Sequence, residues 1–182
     1  MGILPVRSGA IEVGGVDVTT CDSYERVARG IAYVPQGRMI FPALTVAENI
    51  KTGLGKTAAG RVPEDIYSLF PVLFDMSHRK GGNLSGGQQQ QLAIARALAT
   101  NPKVLLLDEP TEGIQPSIIK DIAKTLKEIR DLRGLTIVVS EQVLSFTMAI
   151  ADRLFVIDRG RFVRHDQRAN VDVKTVTQYL AV

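Results

Sequence analysis

The chain has 182 residues, 45% hydrophobic and 23% charged, a globular mixture long enough for one domain with a sizeable core. Its net charge is +3 and its pI about 9.1, but the Lys and Arg residues are scattered rather than run together, which argues against a nucleic-acid-binding arm. One cysteine, Cys21, allows no internal disulfide, no apolar run approaches the roughly 18 residues of a membrane span, and Met1-Gly2-Ile3-Leu4-Pro5-Val6-Arg7 lacks the cationic lead of a signal peptide, so the expectation is a cytosolic protein or one that meets a membrane through a partner.

In chain order, Ile11 to Val18 alternates apolar and polar residues around Gly14-Gly15 and predicts a hairpin. Ile31-Ala32-Tyr33-Val34, stopped by Pro35, predicts a short buried strand. Thr45-Val46-Ala47-Glu48 has capping-box spacing and should open a helix. Residues 53 to 63 hold three glycines and a proline and predict a loop, after which Ile66, Leu69, Phe70 and Leu73 recur at helical spacing. Asn83 to Asn101 reads as a loop feeding a helix that stops before Pro102. Val104 to Leu107 is uninterrupted and apolar, as in a strand covered on both faces. Pro116 to Arg133 carries Ile118, Ile119, Ile122, Leu126 and Ile129 on one helical stripe, with Gly134 placed as a C-cap. A strand at Thr136 to Val139, a helix from about Val143 to Ile150, a strand at Leu154 to Ile157, a turn at Arg159-Gly160, a strand through Val163 and a helix from about Val173 to Leu180 follow. Strands alternating with helices predict an α/β fold with a largely parallel sheet.

Three segments carry chemistry. In Leu84-Ser85-Gly86-Gly87-Gln88, Ser85 stands three before Gln88 and should cap the helix that follows, while two glycines leave backbone N–H groups bare at its positive end, so that Ser85, Gly86, Gly87 and Gln88 can receive an anion. A plain glycine-rich helix cap is the ordinary alternative. In Val104-Leu105-Leu106-Leu107-Asp108-Glu109 an apolar strand ends on adjacent carboxylates, where ligands of α/β proteins bind. Asp108 suits Mg²⁺, directly or through water, and Glu109 suits an attacking water; the ordinary alternative is a strand ending in solvated acids. Gln36, after Tyr33-Val34-Pro35, gains meaning only beside Phe41-Pro42-Ala43-Leu44-Thr45-Val46.

Together, in one order along nearly the whole chain, these segments resemble the ATPase subunit of ATP-binding cassette (ABC) transporters. The resemblance implies a P-loop NTPase-like (RecA-like) parallel sheet, a small antiparallel hairpin and an inserted helical subdomain at approximately 45–85, within one nucleotide-binding domain over 1–182. It casts Gln36 as the Q-loop glutamine touching Mg²⁺ or the attacking water, Ser85 to Gln88 as the signature that contacts ATP held by an opposite subunit, and Asp108 and Glu109 as the metal-holding aspartate and catalytic glutamate. Glu112-Gly113-Ile114-Gln115-Pro116 falls at the D-loop. ATP and Mg²⁺ are the implied cofactors. A second nucleotide-binding subunit and transmembrane permease subunits are the implied partners, with no nucleic acid, and would hold the protein on the inner face of the cell membrane.

Pro35-Gln36-Gly37-Arg38 with Thr111 to Ile119 resembles importers of branched-chain amino acids and urea, and Gln115-Pro116-Ser117-Ile118-Ile119 leans toward urea and short amides. Three departures stand out. No Gly-x-x-x-x-Gly-Lys-[Ser/Thr] occurs, which by the resemblance places the start of the chain after the P-loop strand and helix. Gln115 replaces the usual D-loop Asp, and Gln142 stands where the family places a switch histidine, able to hydrogen-bond a γ-phosphate without a positive charge. His78 and His165 read as surface residues. Two competing readings are weighed. A DNA-repair ATPase of the same superfamily would need a long coiled coil between Gln36 and Ser85, where no sustained heptads occur. A catalytically inactive fragment, unable to bind ATP alone, is the alternative of another class. By the same resemblance, the strands at Thr136 to Val139 and Leu154 to Ile157 flank an empty sheet position, so their apolar edges are expected to be bare, and the isolated chain either prone to aggregation or persisting only by pairing those edges in an oligomer or by closing the gap.

Overall fold

The structure, a computed structural model, describes residues 1–54 and 61–180; most of the loop expected at 53 to 63 lies outside the described residues. The chain opens on the predicted hairpin, β1 (Glu12–Val13) and β2 (Val16–Asp17), paired antiparallel. Gly14 and Gly15 take φ of 58° and 76°, the two positive values that a two-residue turn matching the strand twist requires. Helix α1 (Ser23–Ala28) is capped by Asp22 and Glu25 and leads into β3 (Ile31–Val34).

Helix α2 (Val46–Lys51) starts at the expected capping box: Thr45 Oγ1 accepts from the Glu48 N–H, and Glu48 accepts from the Thr45 N–H. The Ile66 to Leu73 pattern is split in two, α3 (Glu64–Leu69) and α4 (Pro71–Asp75). Pro71 has no N–H to continue the ladder and pushes Phe70 to an extended φ of −130°. A 3₁₀ turn (Gly81–Asn83) precedes α5 (Gly86–Leu98), then β4 (Val104–Asp108), α6 (Pro116–Arg133), β5 (Thr136–Ser140), α7 (Leu144–Ile150), β6 (Arg153–Asp158), β7 (Arg161–Gln167), a second 3₁₀ turn (Arg168–Asn170) and α8 (Val173–Leu180). Gly134 closes α6 at φ 60°, as its place in the sequence predicts.

The parallel sheet is three-stranded, β3-β4-β5, with Val34 opposite Leu107 and Asp108 opposite Ser140. β6, which holds Leu154 to Ile157, forms no ladder with β5 among the described residues; an empty sheet position is expected between the two. β6 pairs antiparallel with β7 in a separate ribbon, and β7 continues to Gln167, well past Val163. The tight Arg159-Gly160 turn, with φ of 46° and 76°, folds the chain straight back, and a hairpin connection makes only antiparallel neighbours. Among the described residues, β5 pairs only with β4 and β6 only with β7. Val138, Phe155 and Ile157 are 52%, 51% and 62% exposed, so the edges expected to be bare carry exposed apolar side chains.

One core joins these elements. Leu105 and Leu107 of β4 are buried among Leu92, Ile94 and Leu98 of α5 and Ile122, Leu126 and Ile129 of α6. Each such side chain removed from water is worth at most about 1.5–3 kcal/mol. The consequence for function is placement: β4 is clamped between two helices and two strands, and its last residues leave the sheet at a fixed point. No helix among the described residues is long and apolar enough to cross a membrane.

Candidate functional site

β4 delivers Asp108 and Glu109 to the carboxyl edge of the parallel sheet, both half-buried. Glu109 takes a φ of 43°, a left-handed conformation that costs a non-glycine residue free energy and concentrates at functional sites. It is held there by its N–H, which donates to Ser140 O at 2.9 Å. The turn aims the Glu109 carboxylate between two amides: Gln36 Nε2 donates to Oε2 at 3.2 Å, and Gln142 Nε2 donates to Oε1 at 2.9 Å. The segments after β3, β4 and β5 therefore meet on one carboxylate. Asp108 faces the Tyr33 hydroxyl, which donates to Oδ2 at 3.1 Å. Burial first, then this bond, raises the Tyr33 phenol above its usual range.

Two features of the loop after Gln36 fix its path. Asn49, fully buried on α2, accepts from the Phe41 N–H at 2.8 Å and donates to the carbonyls of Phe41, Leu44 and Thr45, so its whole amide is used inside the protein. Arg38 and Met39 adopt φ of 67° and 45°, and Arg96 of α5 donates to the Met39 carbonyl at 2.8 Å and the Arg38 carbonyl at 3.4 Å while its guanidinium lies over the Phe41 ring.

The second cluster stands at the start of α5. Ser85 caps it: Ser85 Oγ accepts from the Gln88 N–H at 3.4 Å, and Gln88 Oε1 accepts from the Ser85 N–H at 3.0 Å. Ser85 is exposed and Gly87 buried. A Cβ on Gly87 would sit 2.6 Å from Ile118 Cγ2, so the glycine allows α5 and α6 to touch. Among the described residues no hydrogen bond joins Ser85 to Gln88 with Gln36, Asp108, Glu109 or Gln142. The structure thus brings Gln36, Glu109 and Gln142 together with Asp108 as neighbour, and leaves the cap apart. Arg38 donates to the Glu112 carbonyl at 2.8 Å, beside Gly86 at the start of α5 and Gly113.

Tyr33 and Glu141 are site neighbours that the sequence pattern did not single out, and Arg38 and Thr111 entered it only as marks of resemblance, without a role in the site. Position alone could have flagged Glu141, one residue before Gln142. His78 and His165 are exposed, as expected, and His165 stacks on Phe155. A cleft of about 630 Å³ lined by Lys51, Tyr67, Phe74 and His78 lies among α2, α3 and α4, away from the carboxylates.

These donors fit part of a nucleotide–metal group. One carboxylate with a nearby amide suits Mg²⁺, which completes its shell with water and phosphate oxygens, and a capped helix start with bare N–H groups suits a phosphate. A Gly-rich, lysine-bearing cradle for the β- and γ-phosphates does not occur in the sequence.

Fold and site define an ATP-binding cassette ATPase, and the chain belongs to the ABC transporter family, whose profile matches residues 1–112. Over 165 residues it is 38% identical to the high-affinity branched-chain amino acid transport ATP-binding protein BraG of Pseudomonas aeruginosa, covering 89% of this chain and 70% of that protein. It is 36% identical to the probable branched-chain amino acid transport ATP-binding protein LivF of Archaeoglobus fulgidus, covering 88% and 69%, and 32% identical to the lipopolysaccharide export system ATP-binding protein LptB of Escherichia coli K12, covering 91% and 70%. Among solved structures, the ADP conformation of the ATP-binding cassette MJ1267 matches at 27% identity and a TM-score of 0.79 over 100% of this chain and 80% of that one. The dimeric cassette MJ0796 bound to ADP and Pi matches at 26% and 0.76 over 89% and 74%. The lean toward urea finds no support among these relatives; five residues, Gln115 to Ile119, hold too little information to separate one cargo group from another.

Proposed function

We propose that this chain is the ATP-hydrolysing subunit of an ABC importer, with Glu109 as the base that acts on the attacking water. The observation that carries this reading is the Glu109 carboxylate, held by Gln36 and Gln142 at the end of a buried strand. The amides orient the carboxylate without an opposing charge, and each of its oxygens has a further lone pair for a water. Asp108 and Gln36 would hold Mg²⁺, which when bound offsets charge on the β- and γ-oxygens. We assign Gln142, at the position of the family's switch residue, to a hydrogen bond with the γ-phosphate as well. Ser85, Gly86, Gly87 and Gln88 make no hydrogen bond to the chain's own carboxylates among the described residues, and we assign them to the ATP held by a second nucleotide-binding subunit.

The segment 45–85 is read as the helical subdomain, with permease subunits as the membrane partner and the cytoplasmic membrane face as the place of work. Cargo rests on the relatives alone, and BraG and LivF favour branched-chain amino acids. ATP-dependent uptake of leucine by vesicles carrying the transporter would support this, and uptake of urea instead would reject it. Since the sequence holds no lysine-bearing phosphate cradle, these 182 residues by themselves should bind ATP weakly; micromolar affinity by calorimetry would contradict that. In the assembled transporter, Glu109→Gln should lower hydrolysis by roughly 10²–10⁴-fold while ATP binding persists. Turnover unchanged by Glu109→Gln would remove Glu109 from the role of base.

A further inference from the structure

Glu141 forms a fastener that the catalytic reading does not use. Its Oε1 accepts from the N–H groups of Gln142 and Val143 at 2.8 and 3.0 Å, and its Oε2 accepts from the Thr111 N–H and hydroxyl at 3.2 and 2.7 Å. One carboxylate therefore spans thirty residues of sequence and ties the loop leaving β4 to the loop leaving β5. The sheet ladder between these strands ends at Asp108 and Ser140, with one more bond from the Glu109 N–H to Ser140 O. Beyond that point Glu141 takes over from the backbone.

A local turn before α7 would account for the two bonds of Oε1. It does not account for Oε2, which is spent on Thr111, a residue 4% exposed and two positions past Glu109. Gln142 is exposed, and fixing a long exposed side chain costs about as much as one neutral hydrogen bond returns. The bond from Gln142 Nε2 to Glu109 can persist only if the backbone of Gln142 is held in place, and Glu141 holds it.

We propose that Glu141, through Thr111, is a positioning residue for hydrolysis: it locks the Gln142 backbone to the loop carrying Glu109, so that the Gln142 amide meets the Glu109 carboxylate. The proposal rests on the assignment of Glu109 as the base, but its structural half can be tested without turnover.

The test compares side-chain amide resonances of Gln36 and Gln142 in ¹⁵N-labelled protein, with Glu109→Ala as the contact-free reference. In Glu141→Gln one oxygen becomes an NH₂ that opposes the Thr111 N–H. The Gln142 resonances should move toward their Glu109→Ala positions, and those of Gln36 should stay. Thr111→Val should move Gln142 the same way by less, and Thr111→Ser should bring it back. In the assembled transporter, Glu141→Gln should lower kcat by roughly tenfold, at the low end for groups that orient a reactive ligand, with the KM for ATP unchanged. Gln142 resonances unmoved in both Glu141→Gln and Thr111→Val would overturn the proposal, as would a Thr111→Ser protein that behaves like Thr111→Val. If Glu109→Ala hydrolyses ATP normally, the base assignment fails, while the spectra still decide whether Glu141 positions Gln142.

Discussion

The two polar clusters of this chain are built on opposite plans. The cap at Ser85 to Gln88 is local: both of its hydrogen bonds join residues three apart. The carboxylate cluster is assembled from a distance: Gln36 and Gln142 reach Glu109 across 73 and 33 positions, and Tyr33 reaches Asp108 across 75. A local cap forms wherever its helix forms, and its strength hardly depends on the rest of the fold. A cluster gathered from three strand ends exists only when the parallel sheet is in register. The first is therefore a stability device that also presents N–H groups, and the second is a geometry that the whole core maintains.

That contrast predicts a graded set of effects. Gly87→Ala should be the most damaging to stability, because its Cβ would stand 2.6 Å from Ile118 Cγ2. Overpacking of this kind costs about 1–3 kcal/mol, read as a lowered denaturant midpoint. An unchanged midpoint would show that α5 and α6 can separate freely. Ser85→Ala should cost about 1 kcal/mol by losing the cap, with Ser85→Asn or Ser85→Asp restoring most of it. Equal loss in all three would mean the cap is not what Ser85 contributes to stability.

An effect no larger than the loss of the cap belongs to Tyr33→Phe, which removes one hydrogen bond to Asp108 at a cost of about 1 kcal/mol or less. Here pH sharpens the test. The folded phenol titrates above the unfolded value of 10.0, so its contribution is complete below that pH and declines as pH rises through the raised folded value. Tyr33→Phe should flatten the alkaline fall in stability; an identical alkaline profile would show that Tyr33 does not titrate as its surroundings imply.

The same contrast explains what could be read from the sequence. The hairpin at Gly14-Gly15, the caps at Thr45, Ser85 and Gly134 and the stripe on α6 depend on neighbours within a few residues, and all appear where the spacing puts them. The grouping of Gln36, Glu109 and Gln142 is long-range, so only family resemblance could suggest it. The roles of Tyr33, Thr111 and Glu141 went unread because an isolated Tyr, Thr or Glu has no pattern; their meaning lies in which strand ends adjoin. The turn at Arg159-Gly160 was legible, but the antiparallel ladder it starts runs on to Gln167, and an apolar run such as Leu154 to Ile157 does not reveal how far its partner extends. Pro71 marks the split between α3 and α4 in plain view, but the continuing apolar period obscured it.

The central claim is that the two clusters, apart within one chain, meet across a pair of chains. A transporter assembled from a mixture of Ser85→Ala and Glu109→Gln subunits tests it most directly. Acting across the pair, a mixed dimer regains one site with both Ser85 and Glu109 intact, so the mixture should hydrolyse ATP well above either mutant alone. If each site were built within one chain, every site in the mixture would keep a defect, and a rate no higher than the average of the two mutants would contradict the account.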